Sequence, residues 1–253
     1  MALVEPIPGE RAAVGTIGSQ RALILADYHA GYEAALRYER GVTVPSRAAS
    51  RRDRLLGLLE ETEPDRLVVL GDLMRSIGEP GGAERAELEV LFEALPRSLS
   101  VTIVKGNHDG AIESWLEGTV PLDILSGSGA ALGEIGVCHG HTWPDRAALA
   151  ASVLCSGHEH PCVRLEDEVG GSRVEPIWYR GTLEPIAFEA WDESLAAHPP
   201  PSITVFPAFN DLVGGTWVNV PGQSYLSPFL PEGIAEPEGY LVDGTRLGPI
   251  DTL

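Results

Sequence analysis

The chain has 253 residues, of which 43% are hydrophobic and 22% are charged, so it can bury a large core and is most simply one globular domain, with at most a smaller appendage. Its 37 acidic residues outnumber its 18 basic ones, and the net charge of −19 excludes a general electrostatic attraction to polyanions. The first residues lack the basic start of a secretory signal, and the uncharged stretch AALAASVLCSGH is too short to cross a bilayer, so we expect a cytoplasmic protein without membrane contact.

The acidic composition also predicts the salt conditions in which the protein works. Lys105 is the only lysine of the chain. Carboxylates keep a protein hydrated in concentrated salt, where the Debye length of about 3 Å at 1 M weakens their mutual repulsion. We therefore expect a halophilic protein, with an ordinary acidic cytosolic protein as the alternative. The three cysteines, which lie in apolar runs without Cys-x-x-Cys spacing, are expected to be buried and unpaired: Cys138, Cys155 and Cys162.

Strand and helix patterns alternate from Ala13 to about Leu132. Short apolar runs that end in polar residues predict strands buried on both faces, and runs with leucines on one side predict helices. The first of these helices is expected to be capped by Ser46 and ended by Pro64. The order is strand RALILADYH, helix PSRAASRRDRLLGLLEET, strand RLVVLGD, helix GAERAELEVLFEALP and strand SVTIVKGNHD. This βαβαβ order predicts an α/β fold with a parallel sheet and right-handed crossovers.

After Gly133 the pattern changes to strands joined by tight turns, which predicts antiparallel pairing. From Ala196 the chain is rich in proline and glycine, with the strand SITVFPAFN and a segment, PFLPEGIAEPEGYLVDG, that we expect to be extended cover over the surface. The predicted division is a core of residues 1–195 and a C-terminal extension of residues 196–253 that packs on it. The predicted antiparallel strands are EIGVCHGH, SVLCSGHEHPCVRLEDEV and RVEPIWYRG.

Polar side chains stand where the predicted strands stop. Six of the seven histidines lie in these clusters, and only His198 lies outside them. Because strand carboxyl ends share one edge of an open α/β sheet, the clusters are expected to converge. They are Asp27 and His29; Asp72; Asn107, His108 and Asp109; His139 and His141; and His158 and His160.

Two interpretations of these clusters are open when each is taken alone. Gly-Asn and Asp-Gly are common turn dipeptides, so GNHDG can be a turn without a function. Converging Asp, His and Asn side chains also suit two divalent metal ions such as Mn²⁺, Fe²⁺ or Zn²⁺. Two such ions about 4 Å apart bridge a phosphate and activate a water, which requires a shared carboxylate.

The order Asp-x-His, Gly-Asp, Gly-Asn-His-Asp, His and Gly-His-x-His resembles that of the calcineurin-like metallophosphoesterases over Asp27 to His160. The resemblance implies a four-layer α/β/β/α sandwich and a phosphoesterase that uses two divalent metal ions, with Mn²⁺ expected first and Fe²⁺, Zn²⁺ or Ni²⁺ as alternatives. Carried over motif by motif, it implies Asp27, His29 and His160 on the first metal, Asn107, His139 and His158 on the second, and Asp72 as the bridge.

The same resemblance implies roles around the metals. His108 would neutralise the phosphate or protonate the leaving oxygen, with Asp109 holding its ring. His141 and Glu159 are expected to support the ligating imidazoles, and His141 is also a candidate substrate contact. Arg75 stands where nuclease-like relatives commonly have a histidine; it can clamp a phosphate, or it can be a surface ion pair.

A closer resemblance, to archaeal ICC-like phosphoesterases and DNA-ligase-associated metallophosphoesterases, extends over RALILADYHAGYEAAL, GVTVP, PAFNDLVGG, LSPF and VDGTRLGPI. It implies phosphodiester hydrolysis in nucleic-acid repair, with nucleic acid as a substrate and a ligase or helicase as a partner. The alternatives are a phosphatase that acts on small nucleotides or phosphoproteins, and a scaffold that works through protein partners without metal.

Overall fold

The computed structural model describes residues 2–116, 121–188 and 200–253. A first sheet holds six strands whose spatial order is their chain order. Its first three strands are antiparallel, and the third to the sixth are parallel. They are β1 (Val4–Pro6), β2 (Ala12–Ile17), β3 (Gln20–Leu25), β4 (Arg66–Val69), β5 (Ser100–Val104) and β6 (Leu122–Leu125).

Four helices connect the parallel strands, α1 (Tyr32–Arg40) and α2 (Ala48–Thr62) after β3, α3 (Gly82–Ala94) after β4 and α4 (Ile112–Trp115) after β5. The predicted βαβαβ unit is therefore confirmed. The cap of α2 differs from the prediction, because Arg47 is the N-cap residue, although the Ser46 hydroxyl accepts the N–H of Ala48. The predicted strands did not include β1, β2 or β6 of this sheet, and β1 is only three residues long.

A second sheet has the order β14-β13-β11-β12-β9-β8-β7, and β10 pairs with β11 beside it. Its strands are β7 (Ala130–Leu132), β8 (Ile135–Cys138), β9 (Val153–Ser156), β10 (Cys162–Glu166), β11 (Ser172–Leu183), β12 (Ser202–Val205), β13 (Ile234–Leu241) and β14 (Arg246–Pro249). The helix α5 (Arg146–Leu149) crosses between β8 and β9.

Two predictions for this half of the chain were wrong. The predicted antiparallel pairing is confirmed for β10 and β11, but it is wrong for β8 and β9, which run parallel because α5 crosses between them. The segment predicted as extended cover contains β13, which pairs with both β11 and β14. β12 lies between β9 and β11, so residues after 196 supply a central strand. The predicted domain boundary and His198 lie outside the described residues, and that division stays a prediction.

Alternation along the strands sorts the side chains into layers. In β3, Leu23 and Leu25 pack under the helices with Leu55 of α2 and Leu88 of α3. Neighbouring side chains point the other way, and this inner layer joins the two sheets through Ile24, Val68, Val137, Cys155 and Trp178. The far face of the second sheet carries a third cluster that includes α5 and residues 229–234. The predicted α/β fold with two sheets and helices is confirmed. Across the described residues, no helix has the length and apolar character needed to span a bilayer.

A buried ion network joins the three long helices behind the end of β3. Arg51 of α2 is 4% exposed and donates to Glu87 of α3 at 2.6 Å and to Glu33 of α1 at 3.3 Å. Glu87 also accepts the N–H of Gly31 at 2.8 Å. The network therefore fixes the backbone directly after the Asp-x-His motif.

Removing the cation of this network should strongly destabilise the fold. Arg51→Ala leaves two buried carboxylates without a cation, and we expect the free energy of unfolding to fall by about 3–5 kcal/mol. The matched control is Arg52→Ala on the same helix, which loses only an exposed pair with Asp53 and should cost less than about 1 kcal/mol. Urea unfolding followed by circular dichroism measures both, and equal losses would contradict the role of the network.

Candidate two-metal site

Loops that follow five strands bring the predicted site residues together. β3, β4 and β5 of the first sheet and β8 and β9 of the second all end at this edge. Their parallel direction within each sheet places the following residues side by side, as expected for a site at strand carboxyl ends.

The first group of donors comprises Asp27, His29 and His160, each with one ligand atom within 4.8 Å of the others. His160 Nε2 lies 3.3 Å from Asp27 Oδ1 and 3.4 Å from His29 Nε2. His29 Nδ1 lies 3.3 Å from the carbonyl oxygen of Met74, and His160 Nδ1 lies 3.0 Å from that of Gly214. When each Nδ1–H donates to its carbonyl, the two Nε2 lone pairs face each other and require a cation or a proton between them.

The second group comprises Asp72, His139 and His158, again with ligand atoms within 4.8 Å. His139 Nε2 lies 3.4 Å from Asp72 Oδ1 and 3.3 Å from Asn107 Oδ1. Its Nδ1 lies 2.7 Å from the carbonyl oxygen of Leu70, which directs Nε2 into the site. Asn107 thus adds a neutral oxygen to this group.

Asp72 lies between the two groups. Its Oδ1 is the oxygen near His139, and its Oδ2 lies 3.8 Å from His29 Nε2. One carboxylate oxygen therefore points toward each group, which is the placement that a bridging ligand needs. Carboxylate, carboxamide and imidazole donors suit Mn²⁺, Fe²⁺ and Zn²⁺, so the described residues fit two divalent metal ions.

The charges of the site favour cations. Burial acts to raise the pKa of Asp72, but His139, His29 and His108 outweigh it and hold that pKa below its usual range. Burial acts to lower the pKa of His139, while Asp72 and then Asp27 raise it to about 9. Burial lowers the pKa of His29 to about 4. The carboxylates are therefore ionised and, in the absence of metal, share protons with neighbouring imidazoles.

The backbone of the site is held in the left-handed region, which side chains other than glycine seldom adopt. Such conformations persist only where the surrounding structure enforces them, and they cluster at functional sites. Five donor residues have positive φ angles, Asp27 at 57°, His29 at 47°, Asp72 at 50°, His158 at 69° and His160 at 47°.

Two glycines leave room for these donors. A Cβ atom on Gly106 would lie 1.9 Å from Asp72 Oδ1, and one on Gly71 would lie 2.2 Å from His139 Nδ1. Gly71 also has a φ of 87°. The glycines of the GD and GNHD motifs are therefore required because a carboxylate and an imidazole pass directly against the backbone.

The structure places His108 beside the two groups but gives Asp109 a different task from the predicted one. His108 Nε2 lies 3.9 Å from Asp72 Oδ2, and its ring meets that of His29 edge-on at 5.6 Å. Asp109 is fully buried and accepts the N–H groups of Gly106 at 2.8 Å and Met74 at 2.9 Å. His108 Nδ1 is buried and, among the described residues, has no hydrogen-bond partner. Asp109 thus joins two site loops and does not hold the imidazole.

Glu159 likewise accepts hydrogen bonds from a hydroxyl and from main-chain N–H groups rather than from an imidazole. It is fully buried between two donor histidines and accepts the hydroxyl of Thr216 at 2.5 Å and the N–H of Ser227 at 2.8 Å. His141, by contrast, lies against the donors, with its ring 5.3 Å from that of His139 and 6.0 Å from that of His158. Its predicted substrate contact stays a prediction.

Arg75 lies in the loop between β4 and α3, and its side chain contacts α1 rather than either donor group. It donates to Glu39 at 3.1 Å, and its guanidinium lies 6.0 Å from the ring centroid of Tyr32. This position matches the surface ion pair that sequence analysis left open as the alternative. A phosphate contact by Arg75 stays a prediction.

Sequence reasoning missed Asn210, which supports the first donor group. Its side-chain amide donates to the carbonyl oxygens of Tyr28 and His29, each at 3.2 Å, and its N–H donates to that of Asp27 at 3.2 Å. Arg11 donates to the carbonyl oxygen of Asn210 at 3.2 Å. The phrase PAFND marked this segment as family-like, but nothing in its local pattern indicated which loop it supports.

A family model described as calcineurin-like phosphoesterase matches residues 20–211, which include every donor described above. The chain belongs to the calcineurin-like phosphoesterase family. Members of this family generally use a binuclear divalent metal centre, and the two donor groups accord with it. The chain is accordingly a metal-dependent hydrolase of phosphoric esters.

Solved structures resemble this phosphoesterase. The crystal structure of Pseudomonas putida nuclease MPE aligns with a TM-score of 0.59 and 19% identity, covering 96% of this chain and 100% of that chain, which shows a shared fold. A phosphoesterase from E. coli, Yfce, aligns with a TM-score of 0.41 and 14% identity over 90% of this chain and 96% of that one. Among curated proteins, none matches the chain.

Adding a methyl group at Gly106 should displace Asp72. We expect Gly106→Ala to lower the free energy of unfolding by about 1–3 kcal/mol, as overpacking does, and to weaken Mn²⁺ binding. The control is Gly78→Ala, where a Cβ would meet no atom within 4 Å. Thermal unfolding and titration calorimetry with Mn²⁺ measure the two effects. Normal Mn²⁺ binding by Gly106→Ala would show that Asp72 does not need this clearance.

Proposed function

We propose that this phosphoesterase hydrolyses phosphodiester bonds in nucleic acid or nucleotides and that two divalent metal ions, Mn²⁺ first among them, occupy its donor groups. The position of Asp72, with one oxygen toward each group, supports this proposal most directly. Asp27, His29 and His160 would hold one ion and Asn107, His139 and His158 the other. When bound, such a pair of ions supplies a clamp for the phosphate and an activated water.

His108 is the group best placed to act on the leaving oxygen. Its Nε2 faces Asp72 Oδ2 at the edge of both donor groups, and its side chain is 16% exposed, so a substrate can reach it. Its backbone N–H donates to Asp72 Oδ1 at 3.0 Å, which fixes the start of its side chain. We infer that His108 donates a proton to the departing alkoxide.

The resemblance of several segments to the ICC-like and DNA-ligase-associated enzymes supports nucleic acid as the substrate, and so does the description of the Pseudomonas putida neighbour as a nuclease. On this proposal the protein works in the cytoplasm in repair, with a ligase or helicase as partner, and its acidic surface suits high salt. A phosphatase acting on small nucleotides or phosphoproteins is the second candidate. A scaffold without metal is disfavoured, because every donor of both groups is present.

Changing Asp72 to Asn should remove the shared charge and keep the shape of the side chain. We expect metal content to fall at both positions and hydrolysis of bis-p-nitrophenyl phosphate to be abolished, because one carboxylate serves both cations. The control is Asp123→Asn, an exposed carboxylate that pairs with Arg66. Elemental analysis and turnover measure the result; two metals per chain with normal turnover in Asp72→Asn would overturn the assignment.

Changing His108 to Asn should separate chemistry from metal binding. We expect both metals to be retained while turnover of a poor leaving group falls roughly 10²–10⁴-fold, the range for a lost general acid. The loss should be smaller with p-nitrophenolate, which departs without a proton. Metal analysis and turnover of alkyl and p-nitrophenyl esters test this, and equal losses for both esters would argue against a proton donor.

A further inference from the structure

A groove leads away from the first donor group. Two cavities, of about 300 Å³ and 490 Å³, share Arg11, Pro176 and Asp211 in their walls. The first cavity begins at His160 and is also lined by Trp217, and the second continues to Arg54 and Arg173. We name the two together the Arg11 groove. It extends from a donor histidine to a part of the surface beyond the two donor groups, which a small ester bound at those groups would not contact.

Trp217 is a rigid platform in this groove. The residues on either side of it are bonded to Cys162, whose N–H donates to Thr216 and whose carbonyl accepts the N–H of Val218, each at 2.9 Å. The Thr216 hydroxyl also donates to Glu159, between the donor histidines. The Trp217 ring is half-buried and lies 5.9 Å from the guanidinium of Arg164. A fixed aromatic face beside a cation suits the stacking of an unpaired base.

Two arginines of the groove, Arg11 and Arg54, donate to main-chain carbonyl oxygens. Arg11 donates to the carbonyl oxygens of Ala208 and Asn210 at 3.2 Å and, among the described residues, forms no ion pair. Arg54 donates to the carbonyl oxygen of Phe209, and its closest carboxylate oxygen, on Glu10, is 3.7 Å away. Burial lowers the pKa of both guanidinium groups despite nearby carboxylates. These cations have lost water without gaining a close carboxylate, so a phosphate is a favourable partner.

The charge of the groove also differs from that of the whole chain. The second cavity is lined by three arginines and three carboxylates, which cancel, whereas the chain carries −19. A phosphate chain that leaves the donor groups is therefore repelled less along this groove than over an average part of the surface. The carboxylates in question are Glu175, Asp211 and Asp243.

We propose that the Arg11 groove binds the single-stranded nucleotide next to the scissile phosphate, with its base on Trp217 and the following phosphates at Arg11, Arg54 and Arg173. This inference rests on the proposed function and narrows its substrate to unpaired nucleic acid. Paired bases stay stacked within a duplex and do not reach Trp217, so a double strand is a poorer ligand.

Binding of a labelled oligonucleotide tests the groove without requiring turnover. The probe is a fluorescein-labelled ten-nucleotide thymidylate with hydrolysis-resistant phosphorothioate links, added to the Mn²⁺-loaded protein and followed by anisotropy. The variants are Trp217→Leu and Arg173→Gln, an exposed arginine whose loss does not endanger the fold. The control is Arg85→Gln, which lies outside the groove. Arg85 is exposed and pairs with Glu89, as Arg173 is exposed and pairs with Glu175.

We expect Kd to rise about fivefold or more in Trp217→Leu, as the loss of one stacked base predicts, and to rise in Arg173→Gln while Arg85→Gln binds as wild type. We also expect the ratio of oligonucleotide to bis-p-nitrophenyl phosphate kcat/KM to fall in both groove variants. Wild-type Kd in both groove variants, or equal binding of a duplex, would overturn the groove. Absent turnover of bis-p-nitrophenyl phosphate by the wild type would instead count against the proposed function, since the anisotropy result stands without it.

Discussion

The position of one buried carboxylate determines the geometry of the whole site. Asp72 is 2% exposed, and its oxygens lie 3.4 Å from His139 and 3.8 Å from His29. It stays ionised because the imidazoles outweigh burial in setting its pKa. Glycines on two neighbouring loops leave the space that the carboxylate and its imidazole partner occupy, and Asp109 joins the loops that carry them. The motifs GD and GNHD thus pack against each other around Asp72.

Holding the donors in place has an energetic cost that distant parts of the chain offset. Left-handed backbone costs about 1–3 kcal/mol at each such residue, and five donor residues adopt it. Asn210 binds the carbonyls of the Asp27–His29 loop, and Glu159 binds residues 216 and 227 beside the His158–His160 loop. The C-terminal segment is therefore part of the site's support. The donors lie within residues 27–160, but the contacts that hold their loops come from residues 210–227.

Sequence analysis predicted the donors because their order along the chain is specific and each follows a strand whose apolar run is visible. It predicted Asp72 as a bridge between two groups of ligands; the structure directs one Asp72 oxygen toward each donor group, and the bridging role stays a prediction. It was wrong on the direction of β8 and β9, because α5 has only four residues and shows no periodicity. It missed the tasks of Asp109 and Asn210 because both depend on contacts with main-chain groups of other loops. The bonds of Asn210 span 181 and 182 residues, which no local pattern records.

The same limit explains why the sequence showed no basic track in so acidic a chain. Arg11, Arg54 and Arg173 come from separate elements and meet only in the folded protein. At 1 M salt the Debye length is about 3 Å, so the repulsion from the net charge of −19 is screened over longer distances. A phosphate in direct contact with a guanidinium still keeps its attraction. Long-range steering is then weak, and short-range contacts decide which substrate stays bound. An acidic surface and a phosphate-binding groove are therefore compatible, because they act over different distances.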